Sequence, residues 1–150
     1  MPFPTRLRNE LTRMQRESNK TGILVEVDDG NTSRWLVSFT GPQDSLFAGE
    51  ALQLQFLFPV MYPLEPPDVR FVGDIPVHPH VYSDGQICLS ILASGWTPEL
   101  TVESIVVSLI SMLASCSKKT RPPDDRIATS RLFKLIHGNK ASFHFHDDNI

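Results

Sequence analysis

The sequence predicts an α+β fold with an N-terminal helix, a four-stranded antiparallel meander, a long cysteine-bearing loop and C-terminal helices. Apolar residues recur at helical spacing in residues 7–14 and again in residues 105–113. Between these segments, four short runs alternate apolar and polar residues and follow one another through short links, which favours antiparallel pairing. Residues 73–98 show neither period and are too apolar for disorder, so they predict a long functional loop.

Length and composition predict one soluble domain. The chain has 150 residues, of which 41% are hydrophobic and 21% charged, and a formal net charge of −3. This balance gives no reason to expect nucleic acid or a membrane as a partner. The N-terminus lacks the apolar core of a signal peptide, and no apolar run is long enough to span a bilayer. Cys88 and Cys116 are the two cysteines, and we expect free thiols in a reducing compartment.

The first half of the chain predicts one helix and four strands. Leu7, Leu11 and Met14 place the helix at about 4–17. The alternating runs place the strands at 23–27, 35–39, 51–58 and 69–72, with a turn at 28–31. Four prolines within 58–67 exclude helix and central strand there, so this segment is predicted to be an irregular loop.

The second half predicts two helices joined by a basic linker. Thr101 is a good N-cap for a largely buried helix that stops near Cys116. The linker occupies residues 118–123, and a last amphipathic helix spans about 128–136, ended by Gly138. From residue 139 onward no helical or strand period is present, which predicts a tail of 139–150 beyond a domain of 1–138.

Three motifs in this order resemble the ubiquitin-conjugating enzyme family, from about Thr5 to Ile136. They are the proline loop Tyr62-Pro63-Leu64-Glu65-Pro66-Pro67, the pair His78-Pro79-His80 and Gly85-Gln86-Ile87-Cys88-Leu89, and Trp96-Thr97-Pro98. The resemblance implies that Cys88 accepts ubiquitin from an activating enzyme as a thioester and passes it to a substrate amine. ATP then enters only through the activating enzyme, and no cofactor is implied.

Several positions resemble the W-type subgroup of that family. The usual Asn of the His-Pro-Asn motif is His80, followed by Val81-Tyr82-Ser83, and the chain ends in His146-Asp147-Asp148-Asn149-Ile150. Members of the subgroup favour the α-amino group of substrate N-termini over lysine. The resemblance further implies RING or U-box ligases and protein substrates as partners, and a cytoplasmic or nuclear location.

The resemblance assigns roles around the thiol, each beside a plainer alternative. Cys88 is the nucleophile rather than a buried structural cysteine, whereas Cys116, at the end of a helix, is read as structural. His80 either donates to the thioester oxyanion or stabilises the loop. Structural support is expected from His78, Pro79 and Tyr62. Asp124 and Asp125 stand where relatives carry an acidic gate, but a solvated turn is the favoured interpretation.

Ligase binding is predicted at three places by resemblance: Arg6 on the first helix, Leu64 in the proline loop, and Trp96, Thr97 and Pro98. Trp96 is equally explained as a core residue. Ser90 stands where lysine-directed relatives carry an acidic residue, and Ser cannot supply that charge.

The sequence disfavours two other functions and a metal site. A catalytically silent binding module is disfavoured because the cysteine motif is intact, and a cysteine hydrolase lacks an orienting third group. The pairs His78/His80 and His144/His146 with Asp147 fit no standard zinc spacing, so no metal is predicted.

Overall fold

A computed structural model describes residues 4–125. Its helices and strands are α1 (Thr5–Thr21), β1 (Leu24–Asp28), β2 (Asn31–Thr40), β3 (Ala51–Leu57), β4 (Asp68–Val72) and α2 (Val102–Ala114), with a short 3-10 helix at Ser90–Leu92. The predicted order of helix, four strands and helix is confirmed. The predicted last helix, its terminal Gly138 and the tail lie outside the described residues. No helix within residues 4–125 is long and apolar enough to cross a membrane.

Helix α1 is longer than predicted, because it continues through Thr21 instead of ending near residue 17. Its last turn is polar and adds nothing to the apolar stripe, which is why periodicity places the end too early. Gly22 caps the end of the helix. Its φ of 73° is left-handed, and its N–H donates to the Ser18 carbonyl over 2.8 Å.

The four strands form one antiparallel sheet in the order β1-β2-β3-β4. On the face toward the helices, the aromatic and aliphatic residues of β2 and β3 stand opposite one another. The pairs are Trp35 with Phe56, Val37 with Leu54 and Phe39 with Leu52. All six of these side chains are buried. The alternation that predicts the strands therefore also defines the core.

Strand β1 contains one exception to the alternation. The register shifts between Val27 and Asp28, and the Asp28 carboxylate is buried. That carboxylate accepts the N–H of Gly30 at 2.8 Å and lies 3.3 Å from the Arg34 guanidinium. The predicted turn at 28–31 is therefore closed by its own first side chain.

Helix α2 begins as predicted. The Thr101 hydroxyl accepts the N–H of Ser104, and the Ser104 hydroxyl accepts the N–H of Thr101, which is a complete capping box. Val102, Ile105, Val106, Leu109 and Leu113 of this helix are buried. The helix ends at Ala114, two residues before Cys116.

Glu10 joins three parts of the fold, a role that was not predicted. It is 7% exposed, and its Oε1 accepts the N–H of Val102 at the start of α2 over 2.7 Å. Its Oε2 accepts the Tyr62 hydroxyl of the proline loop at 2.6 Å and lies 2.8 Å from Arg6 Nε. Burial, followed by the bond to Glu10, raises the pKa of Tyr62 well above its ordinary value. One sequence signal points to this role of Glu10: it is a carboxylate three residues after Leu7, and therefore lies on the apolar face of the helix.

Candidate active site at Cys88

The cysteine lies on irregular backbone that docks against the edge of the sheet. Its side chain is exposed, and its N–H donates to the His80 carbonyl at 2.8 Å. Gly85 turns the chain with φ of 94°, and a Cβ there would collide with the Phe71 carbonyl of β4. The Gly85 carbonyl accepts the Phe71 N–H at 2.9 Å. Only glycine fits this close approach, so the Asp84-Gly85 turn fixes where the loop meets the sheet.

His78 bonds the backbone of this loop and of α2, which is consistent with the structural role predicted for it. It is 3% exposed, and its Nδ1 accepts the N–H of His80 at 2.9 Å. Its Nε2 lies 3.2 Å from the Met112 carbonyl near the end of α2. Because Nδ1 accepts a hydrogen bond, the ring is neutral, and its Nε2–H donates to the Met112 carbonyl. Burial lowers the pKa of His78; the hydrogen bond with the Met112 carbonyl opposes this shift, and the electrostatic effect of the neighbouring His80 adds to it.

The ring of His80 is exposed to solvent, and it is the backbone of His80 that makes the hydrogen bonds within the loop. The backbone N–H donates to His78, and the carbonyl accepts from Cys88. The exposed side chain lines a cleft of about 470 Å³ that also contains Cys88, Leu89 and Ser90. The loop therefore does not depend on the imidazole of His80 for its hydrogen bonds, which leaves that ring available to a bound group. Its role stays a prediction.

Cys116 also lines this cleft, with Met112 and Ser115. It is half-buried against the core, and its Sγ donates to the Lys118 carbonyl at 3.3 Å. Cys88 is the more exposed thiol of the two. The structural interpretation of Cys116 fits these contacts.

Asp124 and Asp125 contact the loop that carries Cys88, a contact that the sequence does not predict. The hydroxyl of Tyr82 donates to the Asp124 carboxylate at 3.1 and 3.2 Å, and the Ser83 N–H donates to Asp125 at 2.7 Å. Desolvation raises the pKa of Tyr82, as do the hydrogen bond with Asp124 and the electrostatic effects of Asp124, Cys88 and Asp125. Asp124 is exposed and lies in a turn, so the turn interpretation and the acidic-gate interpretation both stay predictions. The contacts themselves have no sequence signal, because they join residues about forty positions apart.

The predicted ligase-binding residues lie close together at the end of the molecule where α1 begins. Arg6 donates to the carbonyls of Pro98 and Leu100, each at 2.9 Å. The Trp96 indole N–H donates to the Pro63 carbonyl at 2.9 Å, and its ring is half-buried beside Tyr62. Trp96 therefore joins two loops, which favours its structural interpretation.

The exposed part of that end combines apolar and small residues with two carboxylates, Glu65 and Glu99. Leu64 is 66% exposed, Met61 is 52% exposed, and Thr97 and Pro98 are exposed beside them in the next loop. The peptide bond between Tyr62 and Pro63 in this proline loop is cis. An exposed leucine on a rigid proline-rich loop is a suitable interface anchor.

The structure also shows two residues near the site that had no predicted role there. Tyr82 marks the subgroup in the sequence, but its hydrogen bond with Asp124 had no sequence signal. Arg121 belongs to the predicted basic linker, and its guanidinium contacts the carbonyls of Ile75, Pro76 and Val81. A charged residue in a polar linker is normally a solvated one, so composition points away from this contact.

The described part of the chain contains no group of three or more side chains that could hold a metal ion. His144, His146 and Asp147 lie outside it. Neither imidazole of the Cys88 loop has a hydrogen-bonded carboxylate among residues 4–125 to orient it, as a cysteine hydrolase would need.

Comparison with known proteins agrees with this geometry. Residues 6–137 match the ubiquitin-conjugating enzyme family. The ubiquitin-conjugating enzyme E2 W of Caenorhabditis elegans is 43% identical over 150 residues, covering 97% of this chain and 95% of that protein. The probable E2 W of Dictyostelium discoideum is 38% identical over 148 residues, covering 99% and 97%.

Solved structures agree as well. The crystal structure of the ubiquitin-conjugating enzyme UbcA1 from Agrocybe aegerita is 46% identical with a TM-score of 0.77, covering 83% of this chain and 91% of that one. The human ubiquitin-conjugating enzyme E2 G1 is 37% identical with a TM-score of 0.66, covering 73% and 92%. The chain therefore belongs to the ubiquitin-conjugating enzymes, transferases of the ubiquitination pathway that work with ubiquitin, an activating enzyme and ligases.

Proposed function

We propose that Cys88 carries ubiquitin as a thioester and that the enzyme transfers it to the α-amino group of substrate N-termini. The observation that carries the proposal is the exposure of Cys88 on a loop ordered by backbone contacts. In the transfer, the amine nitrogen attacks the thioester carbonyl, the C–N bond forms, the C–S bond breaks and the Cys88 thiolate leaves. The proton of the attacking amine passes to solvent or a nearby base.

The preference for α-amines is supported by what surrounds the thiol. Ser90, two residues after Cys88, is an exposed hydroxyl and supplies no carboxylate to place an incoming lysine and accept its proton. An α-amine has a pKa of about 7.7–8.0 against about 10.4 for lysine, so at pH 7 its free base is roughly 300-fold more abundant. The E2 W proteins similar to this chain, and its His80, support the same assignment.

Further roles follow the same proposal. His80 donates a ring N–H to the oxyanion, and Asp124, held by Tyr82, accepts a hydrogen bond from the incoming amine. RING or U-box ligases bind Arg6, Leu64 and the loop of Trp96, Thr97 and Pro98 and accelerate transfer. The enzyme works in the cytoplasm or nucleus, the compartments that keep free thiols reduced.

The first experiment is thioester charging with activating enzyme, ATP and ubiquitin. We expect a reductant-sensitive adduct that Cys88→Ala abolishes and that Cys116→Ala, the matched thiol control, retains. An adduct on Cys116, or none on either thiol, contradicts the assignment of the nucleophile.

The second experiment discharges the purified thioester with two peptides, one with a free N-terminus and no lysine, the other N-acetylated with one lysine. If the rates followed only the abundance of the free base, the peptide with the free N-terminus would react roughly 300 times faster than the lysine peptide at pH 7 and roughly 25 times faster at pH 9. We expect the preference for the free N-terminus to exceed the free-base ratio at both pH values. A ratio that only follows the free-base ratio shows that the site makes no selection.

A further inference from the structure

The segment that follows α2 is held against the loop that carries Cys88, although it has no helix or strand in residues 118–124. Lys119 Nζ lies 2.6 Å from the Glu50 carboxylate and 4.8 Å from the centroid of the Phe47 ring. At the far end, Asp124 and Asp125 bind the Tyr82 hydroxyl and the Ser83 N–H. Contacts at both ends mean that the path of this segment is set by side chains.

Arg121 makes the central contact of the segment. Its Nη1 donates to the carbonyls of Pro76 at 2.8 Å and Val81 at 3.1 Å, and its Nη2 donates to the Ile75 carbonyl at 3.3 Å. These carbonyls lie in the chain just after β4 and in the loop that leads to Cys88. A planar guanidinium can serve several carbonyls at once, which a single ammonium cannot do with the same geometry.

These contacts close a ring. The carbonyl that Arg121 binds on Val81 belongs to the peptide that joins Val81 to Tyr82. Tyr82 donates to Asp124, and Asp124 is connected back to Arg121 through two prolines with restricted φ. The buried first proline, Pro122, also accepts the N–H of Asp125 at 3.1 Å. A ring with a stiff spacer fixes both the phenol and the carboxylate relative to the loop that carries the thiol.

We propose that Arg121 is a positioning residue for amine transfer, which it supports by holding Asp124 and Tyr82 in place on the loop that carries Cys88. The inference rests on the proposed function, because the Asp124 carboxylate is the group that receives the incoming amine there. Arg121 itself contacts only protein carbonyls and is not a catalytic residue.

Arg121 should affect aminolysis of the thioester but neither its formation nor its hydrolysis. Charging brings the ubiquitin C-terminus to the Cys88 thiol and does not use the Asp124 carboxylate. Hydrolysis of the thioester likewise needs no group to place an amine. Aminolysis needs the carboxylate within hydrogen-bonding distance of the amine, and an acceptor displaced by about 1 Å can slow such a step up to roughly a hundredfold.

The test compares R121Q, D124N and the double variant R121Q/D124N in single-turnover discharge of the purified thioester by a peptide with a free N-terminus. We expect unchanged charging, unchanged hydrolysis and aminolysis slowed roughly tenfold in R121Q. Because Arg121 acts through Asp124, the double variant should discharge as slowly as D124N and no slower. K20Q, on the last turn of α1, removes an exposed positive charge as a matched control.

R121K keeps the charge but not the planar fork, and we expect its discharge rate to lie between those of wild type and R121Q. If R121Q does not give a cooperative thermal transition, R121K replaces it in the cycle with D124N. Wild-type aminolysis in R121Q, multiplied losses in the double variant, or loss of charging in a folded Arg121 variant overturns the inference. If the wild type forms no thioester, the proposed function fails first, which is a distinguishable result.

Discussion

The single imidazole of His78 links the stability of the fold to pH. Its Nδ1 accepts a backbone N–H, and burial lowers its pKa below the ordinary 6.5, so the folded protein prefers the neutral ring. A pKa that is lower in the folded state than in the unfolded chain means that the unfolded chain binds the proton more readily. This contribution to stability is therefore fully present above pH 6.5 and is lost as the pH falls toward the folded pKa.

We expect thermal melting between pH 7.5 and 5 to show this loss in the wild type and a shallower decline in His78→Gln, which cannot titrate. His80→Asn is the comparison, because it removes an exposed imidazole that makes only the smaller contribution to lowering the pKa of His78, and it should keep most of the wild-type slope. Parallel slopes for His78→Gln and the wild type would assign the pH dependence to other groups.

His80 differs from His78 in that its ring is exposed while its backbone orders the loop. If the ring donates to the oxyanion, an amide side chain can replace it and a methyl group cannot. We expect His80→Asn to discharge within a few-fold of the wild type, and His80→Ala to discharge roughly tenfold to a hundredfold more slowly. Discharge of purified thioester measures both. Equal discharge by the two variants would instead favour a loop-stabilising role.

At the scale of elements, Glu10 is the residue on which α1, α2 and the proline loop depend. Its carboxylate receives Val102 N–H, the Tyr62 hydroxyl and Arg6 in a buried position. Glu10→Ala leaves a buried N–H and a phenol without their acceptor, which should lower the free energy of unfolding by about 2–4 kcal/mol. Urea denaturation measures the change.

Glu17→Ala provides the control on the same helix, since its side chain is 38% exposed and its contact with Lys20 is 3.8 Å long. Its effect should stay within about 0.5 kcal/mol. A Glu10→Ala variant as stable as Glu17→Ala would show that water replaces the carboxylate without cost, and that the three elements do not need it.

At the scale of the molecule, the sequence predicts what depends on local periodicity and misses what depends on contact across the chain. The alternation in β3 gives both the strand and its buried face, and Thr101 gives the start of α2. The hydrogen bond of Tyr82 with Asp124 and the contacts of Arg121 join residues about forty positions apart. No local pattern encodes such pairs, because their geometry is set only when the sheet and α2 have packed.

The same packing separates a proposed docking surface from the thiol, and Leu64 tests that separation. Its side chain is 66% exposed on the proline loop, so Leu64→Ala removes little buried area and should change the free energy of unfolding by no more than about 0.5 kcal/mol. Discharge without ligase should keep its wild-type rate, because the Cys88 loop makes its contacts with β4 and α2. Ligase-stimulated discharge should fall roughly tenfold, as loss of an interface anchor does.

Val60→Ala is the control for Leu64→Ala, because Val60 is an apolar residue that is 87% exposed in the same loop. If Leu64→Ala slows ligase-free discharge as much as stimulated discharge, the leucine acts on the catalytic loop itself and the two surfaces are not independent.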